Sequence, residues 1–275
     1  NFTYNKNEVT KYKGELVREW RTDANGNKVW YQNVGTVANG SSNLIVEGHE
    51  MNEYFMMNPY KGNGSYFNGD GTVNINGGPK DGMIRTEADM KWLQAMFDAG
   101  YKFYPNQAIG KDKIWYGDMI YADYNGDGIY GNDDDRDFQG VSWRPKYYFG
   151  LQASVMWKGF DLSMNWAGAA GFKIDYYKQT QNSVSVTHGY GLGYDIAYDH
   201  YFFDPENPSD PRTNIHSETP RLVGYQNSGQ ASVTSSWHLK NGNYMKLKNL
   251  TIGYTFPKEW MKVAFIQNAR VYLSG

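Results

Sequence analysis

Tyr147-Tyr148-Phe149-Gly150-Leu151-Gln152-Ala153-Ser154-Val155-Met156-Trp157-Lys158-Gly159-Phe160-Asp161-Leu162-Ser163-Met164-Asn165-Trp166 is the stretch that decides the fold. Tyr147, Phe149, Leu151, Ala153, Val155 and Trp157 share one phase, and Tyr148, Gly150, Gln152, Ser154 and Met156 share the other. This is period two, with one face apolar and the other mostly small or polar, and it predicts a β-strand. Lys158-Gly159 reads as a two-residue turn, since glycine readily supplies positive φ. The return strand then carries Phe160, Leu162, Met164 and Trp166 on the apolar face, with Asp161, Ser163, Asn165 and Ala167 opposite. Tyr147, Trp157 and Phe160 sit near strand ends, and smaller or aliphatic residues fill the middle of the first strand. Transmembrane barrels have this layout, with an apolar band toward lipid and aromatic girdles at both interfaces. A soluble β-sandwich also has alternating strands, so both readings stand at this point.

Outward from the hairpin, a third strand is expected over 244–256, with Leu250, Ile252, Tyr254 and Phe256 on one face. Its phase breaks around Lys246 to Lys248, which predicts a bulge or the barrel rim. Pro257 to Lys262 reads as one helical turn, and a fourth strand over 268–275 carries Val271 and Leu273 on one face. Weaker strands are expected near 1–12 and 43–57. The hairpin strands are placed at 145–157 and 159–172. One helix stands apart: Thr86 as N-cap, Glu87 and Asp89 in the first turn, Met90, Leu93, Met96 and Phe97 at helical spacing, and Gly100 after the end. The connections are unequal. Two residues join the hairpin, whereas 60–144 and 173–236 read as long and irregular. Such long segments are rare in compact soluble domains, and outer-membrane barrels carry them outside the cell. The Lys158-Gly159 turn is then periplasmic and both long segments extracellular.

Composition narrows the function. The chain has 275 residues, net charge −2 and no cysteine. Disulfide scaffolds, Cys-ligated metals and thiol catalysis are excluded, and the charge offers no nucleic-acid footprint. Aromatics reach 17 %, with 24 Tyr and 9 Trp. Neither Met nor a signal-like run stands at Asn1, and Gly275 falls inside an alternating run. The sequence therefore reads as a piece of a longer chain.

Three segments resemble the C-terminal barrel region of SusC-like (RagA-like) TonB-dependent outer-membrane transporters of Bacteroidetes. Gly117-Asp118-Met119-Ile120-Tyr121-Ala122-Asp123-Tyr124-Asn125-Gly126-Asp127-Gly128 resembles that family's Gly-Asp…Asn-Gly-Asp-Gly segment, with one extra residue before Asp135-Arg136. Pro145-Lys146-Tyr147-Tyr148-Phe149-Gly150, continuing through Trp157-Lys158-Gly159-Phe160-Asp161-Leu162 to Gly168-Ala169-Ala170-Gly171, is similar to its hairpin segment. Gly242-Asn243-Tyr244-Met245-Lys246-Leu247-Lys248-Asn249-Leu250-Thr251-Ile252-Gly253-Tyr254-Thr255-Phe256-Pro257, followed by Ala269 to Gly275, is similar to its terminal strands. The resemblance spans Gly117 to Gly275 in the family's order; residues 1–116 match more loosely. It implies an all-β fold, part of a 22-stranded antiparallel transmembrane barrel in the bacterial outer membrane. It implies import of a bulky nutrient, an oligosaccharide first and a peptide second, energised by TonB through a plug region. It also implies a SusD-like surface lipoprotein as lid.

The Asp-rich loop is the clearest chemical motif. Asp123, Asn125 and Asp127 fall at positions one, three and five of a calcium loop, Gly128 at six, the Ile129 carbonyl at seven and Asp134 at twelve. An Asx/Gly turn that satisfies its own backbone has the same residues. No cofactor is required on this reading, and Ca2+ is the one the spacing admits. Catalysis finds little support: His49, His188, His200, His216 and His238 are scattered, and no GxSxG elbow or phosphate loop is present. The chain is thus read as a non-enzyme. Tyr176, Tyr177, Tyr190, Tyr194, Tyr198, Tyr201, Phe202, Phe203 and Trp237 in the second long segment are candidate ligand or lid contacts, because flat rings stack on sugar faces and are enriched at interfaces. The competing readings are a secreted soluble β-sandwich that binds glycans through a calcium loop, and a surface glycoside hydrolase with paired carboxylates.

Overall fold

The computed structural model describes residues 1–176, 193–223, 230, 233–262 and 266–275. They form two compact units. The first comprises Asn1–Asn7, Trp143–Lys173 and Asn241–Gly275, and the second Glu8–Ser142 and Ile174–Lys240. No described helix is long and apolar enough to cross a membrane.

The first unit is a five-stranded antiparallel sheet in the order Phe2–Tyr4, Tyr147–Trp157, Phe160–Ala170, Tyr244–Thr255, Arg270–Ser274. At its centre is the hairpin the alternation predicts. Lys158 and Gly159 have φ 46° and 91°. Positive φ at both turn positions is the type I′ geometry, whose twist matches that of the strands. A Cβ on Gly159 would stand 2.7 Å from the Thr255 carbonyl, so the position is closed to side chains on steric grounds as well.

Register makes the two faces continuous. Val155 pairs with Leu162, Leu162 with Ile252, and Ile252 with Leu273. The next row runs Trp157, Phe160, Tyr254, Val271. The opposite face carries Ser154, Ser163, Thr251 and Ser274 in one row and Gln152, Asn165 and Asn249 in another. The predicted phase break is a bulge. Asn165 pairs with Asn249 but Trp166 pairs with Leu247, which leaves Lys248 as the extra residue. The extra residue flips the phase of the strand. Met245 and Leu247 thereby join the apolar face and Lys246 the polar one.

The apolar face lies open. Leu151 is 55 % exposed, Val155 58 %, Ile252 50 % and Leu273 79 %. A soluble sandwich would bury such a face against a second sheet; no second sheet packs on it among the described residues. The described strands form an open sheet rather than a closed barrel.

Two expected strands are shorter than the sequence suggests. The first is only Phe2–Tyr4, because Asn5-Lys6-Asn7-Glu8 has no apolar side to bury. The 43–57 segment yields Asn43–Leu44 and Glu53–Met56, in the second unit, because Gly48 at φ 81° and Asn52 at φ 61° turn the chain between them. The helical turn after Pro257 is present as Lys258–Lys262.

The second unit contains most of 60–144, the segment read as long and irregular. It has little regular structure but a real core: Tyr60, Met83, Ile84, Trp92, Leu93, Met96, Phe103, Ile114, Met119, Ile120, Tyr121, Tyr130 and Tyr201 are buried together. Isolated bridges such as Pro59 to Tyr121 and Met83 to Met119 tie the segments. The predicted helix is Glu87–Asp98. Thr86 Oγ1 accepts from the Asp89 amide at 3.2 Å, and Asp89 Oδ2 accepts from the Thr86 amide at 2.8 Å. This is a capping box with Asp in place of Glu. Trp92, Leu93 and Met96 form its buried stripe, and Gly100 leaves the helix at φ 94°. A Cβ on Gly78 would stand 2.7 Å from the Trp92 ring, so that glycine admits the tryptophan to the core.

Candidate functional site

The Asp loop holds its shape with its own amides. Asp123 Oδ1 accepts from the amides of Gly126 at 2.7 Å and Asp127 at 3.2 Å, and Oδ2 from Gly128 at 2.8 Å. Asn125 Oδ1 accepts from the Asp127 amide at 3.1 Å, and Asp127 Oδ1 from the Ile129 amide at 2.8 Å. These are nested Asx turns. Ile129 pairs with Lys102 in a short parallel ladder. Asp134, the expected twelfth ligand, is engaged by the Gln32 side-chain amide. Asp135 closes the loop in its place. Its carboxylate accepts from the amides of Tyr124 and Gly131, each at 2.7 Å, and of Asn132 at 3.1 Å. The Asp135-Arg136 pair in the first motif was the signal for this role. Among the described residues no group of three or more His, Asp or Glu side chains converges as a metal centre. The side-chain oxygens of Asp123, Asn125 and Asp127 also serve the chain's own N–H groups, which is the Asx-turn geometry of the loop.

Asp135 is buried, and burial pushes its pKa up to about 7, against the opposing pull of the three amides. Outside the loop, the hairpin of Arg18–Thr22 and Lys28–Gln32 braces it. The Arg18 guanidinium donates to the Asp134 and Arg136 carbonyls and lies 4.3 Å from the Tyr124 ring centroid. Trp20 Nε1 donates to the Asn125 carbonyl at 2.8 Å.

The aromatic candidates divide three ways. Tyr201, Phe202 and Phe203 line a cavity of about 290 Å³ together with Lys111, Trp115, Tyr116, His200, Asp204, Pro205, Arg221 and Leu222. Tyr116 meets Phe203 edge-to-face at 5.1 Å and Trp115 at 5.2 Å. Trp115 and Tyr116 directly precede the Gly117-Asp118 motif, which was the only signal for them in the sequence. Tyr194 and Tyr198 lie outside the cavity: both are more than 80 % exposed and stack in parallel at 5.8 Å. Trp237 packs against the core with Lys240 over its ring, and the Tyr176 amide donates to the His238 carbonyl. Tyr177 and Tyr190 lie outside the described residues. A second cavity of about 570 Å³ opens beside the Asp loop, lined in part by Tyr60, Lys61, Tyr101, Asp123 and Tyr130.

Beneath the first cavity is a buried ion pair. Arg221 Nε and Nη2 donate to Asp118 Oδ1 at 3.0 Å and Oδ2 at 2.9 Å. The Trp115 amide donates to the same Oδ2 at 2.8 Å. A bidentate pair of this kind fixes the two segments in register.

No family model matches the chain. TonB-dependent receptor P26 of Formosa agariphila is 28 % identical over 165 residues, which is 60 % of this chain and 15 % of that protein. TonB-dependent receptor P3 of the same organism is 25 % identical over 159 residues, 58 % of this chain and 14 % of that protein. The chain thus spans about 15 % of the length of the first of these curated relatives. Among solved structures, the RagAB peptide importer in its open-open state aligns with 99 % of this chain and 21 % of that chain, at 16 % identity and TM-score 0.48. A second RagAB peptide transporter structure aligns at 14 % identity and TM-score 0.47, covering 90 % of this chain and 21 % of that chain. Over more than half of its length the chain is thus similar to TonB-dependent receptors, which are proteins of the bacterial outer membrane.

Proposed function

We propose that these residues supply part of the wall and part of the outer surface of a TonB-dependent importer of a bulky nutrient, an oligosaccharide or a peptide. The observation that supports this best is the five-stranded sheet whose apolar face is uncovered and continuous across the strands. A lipid solvent accepts that face without further packing. The polar rows opposite it then line the lumen. On this reading the sheet belongs to a 22-stranded barrel, with the Lys158-Gly159 turn toward the periplasm and the long segments 60–144 and 173–236 outside the cell. A plug region elsewhere in the receptor meets TonB, and a SusD-like lipoprotein covers the outer mouth. The protein acts by binding and translocation rather than by bond cleavage.

Transport on this reading requires no resident ion, and Ca2+ is the ion that the spacing of Asp123, Asn125 and Asp127 admits. A terbium luminescence titration of the receptor decides between them: a saturable signal lost in Asp123→Asn assigns the loop as a cation site, and no signal leaves it as an Asx turn. The transport reading is tested by uptake. The full-length receptor is restored to a strain lacking it, with TonB intact or deleted, and growth on oligosaccharide or peptide as sole nutrient is measured. TonB-dependent growth is expected. Growth indifferent to both the receptor and TonB would overturn the proposal.

A further inference from the structure

We infer that the turn end of the sheet is a docking surface for anionic phospholipid headgroups of the leaflet that faces the periplasm. The inference rests on the transport reading, which puts the Lys158-Gly159 turn on that side. Register brings three pieces of chain to this end. The last apolar row is Trp157, Phe160, Tyr254 and Val271. The Thr255 amide donates to the Gly159 carbonyl at 2.7 Å, so the turn lies beside the start of the connection that Pro257 opens. That connection carries the helical turn Lys258–Lys262, and the Ile266 amide donates to the Met261 carbonyl at 3.2 Å.

The groups beyond the last row divide by chemistry. Lys258 and Lys262 are four residues apart and share one side of the helical turn, with Trp260 on the other. Trp260 is 61 % exposed and Ile266 48 %, although both stand outside the paired strands. Trp157, in the row itself, is 67 % exposed, and the Lys158 ammonium lies 4.9 Å from its ring centroid. Indole rings beside ammonium groups settle at the boundary between acyl chains and headgroups, with the rings inward and the cations outward. Charge then selects the headgroup. Asp161 is taken by Arg270, whose Nε donates to it at 3.0 Å. Lys158, Lys258 and Lys262 are left with one other carboxylate at this end, Glu259. The surplus of positive charge in the belt attracts lipid phosphates that carry a net negative charge.

The test uses the full-length receptor in an uncharged detergent. Phosphatidylglycerol and phosphatidylcholine with the same acyl chains are added in turn, and retained lipid is counted by native mass spectrometry. The wild type is expected to retain phosphatidylglycerol in preference. Lys158→Gln, Lys258→Gln and Lys262→Gln combined should lower that preference by about tenfold or more, since each lysine near a headgroup contributes about fivefold. Trp260→Ser should instead weaken retention of both lipids alike. Lys11→Gln, Lys13→Gln and Lys28→Gln combined change the net charge equally but lie in the second unit, and should leave the preference intact. Folding is checked by the shift of the band on heating, and Lys258→Gln with Lys262→Gln serves if the triple variant loses it. Equal retention of the two lipids by the wild type overturns the inference. A preference unchanged in the lysine variants also overturns it, and would mean that protein covers this end. So does a preference abolished by inorganic phosphate at constant ionic strength, which marks a site for free anions. Lipid retention in this experiment does not need TonB. TonB-dependent uptake without the preference therefore defeats the lipid surface alone, and the preference without uptake defeats the transport reading alone.

Discussion

Asp118 is 1 % exposed, and its carboxylate is neutralised by Arg221. Removing one partner of a buried pair leaves an uncompensated charge in a low-dielectric site, a loss of about 3–5 kcal/mol. Arg221→Met is therefore expected to lower the opening free energy of the second unit by that order. Asp118→Leu combined with Arg221→Met should restore much of it, because no charge is then left stranded. Hydrogen exchange of the amides from Trp115 to Tyr121 reads both. A double variant as unstable as the single one would show that geometry, not charge, is what the pair supplies. Asp135 gives a pH signature. Its ordinary value of 3.8 is raised to about 7 in the folded loop, so folding favours its protonated form. That stabilisation is complete below about pH 4 and fades as pH rises through 7, with a slope approaching 1.4 kcal/mol per unit inside the window. His238 works in the opposite sense. Burial holds its pKa down to about 4 from 6.5, so its contribution is present above 6.5 and is lost as pH falls toward 4. The measurement must therefore be local. Protection of the Tyr124 and Gly131 amides, corrected for intrinsic exchange, should fall from pH 5 to pH 8 in the wild type and stay level in Asp135→Asn.

At the scale of elements, the hairpin separates two environments one residue apart. Leu151→Arg, on the apolar face, is expected to cost about 2–4 kcal/mol of barrel stability, and Ser154→Arg on the polar face far less. Unfolding of the receptor in lipid vesicles by urea measures both, and equal costs would contradict a lipid-facing band. The bulge gives a sharper test. Deleting Lys248 restores strict alternation, so the strand before it turns over: Met245 and Leu247 move to the polar face and Lys246 to the apolar one. Loss of the heat-modifiable form is expected, whereas Lys248→Ala, which keeps the bulge, should retain it. These elements were legible because each announces itself locally. Period two marks the hairpin, the broken phase marks the bulge, and Thr86, Asp89 and Gly100 mark the helix ends. The second unit was not. Its core joins Met83 to Met119 and Pro59 to Tyr121, contacts remote in sequence and made by single bridges, and no periodicity encodes them. The same holds for the site. The spacing of Asp123, Asn125 and Asp127 revealed a turn but pointed to Asp134 as its closing carboxylate. The carboxylate that faces the Tyr124 amide is that of Asp135, one residue further on. The aromatic cavity draws on 111–116, 200–205 and 221–222, which only tertiary structure brings together.

At the scale of the whole molecule, the two units place different demands on their surroundings. The second has a buried core of its own, and its aromatic content is largely spent inside it. The sheet has no such core: its strands pair with one another and present their apolar side chains outward. Its order begins with Phe2–Tyr4 and ends with Arg270–Ser274, so among the described residues each edge offers N–H and C=O groups without a neighbouring strand. Water can satisfy such groups and the hydrocarbon core of a bilayer cannot, which is why only closed strands span lipid. On the transport reading the apolar face meets lipid, which does not tolerate an open edge, so further strands of the receptor must complete the ladder. The expectation is therefore specific. Residues 1–275 expressed alone should not yield a detergent-soluble band that shifts on boiling. The full-length receptor, identified by peptides from this sequence in outer-membrane extracts, should give a large band that does. A small band that runs identically with and without heating, and that stays in solution without detergent, would mean that the apolar face is covered by protein. The barrel assignment would then fall, and the β-sandwich would take its place.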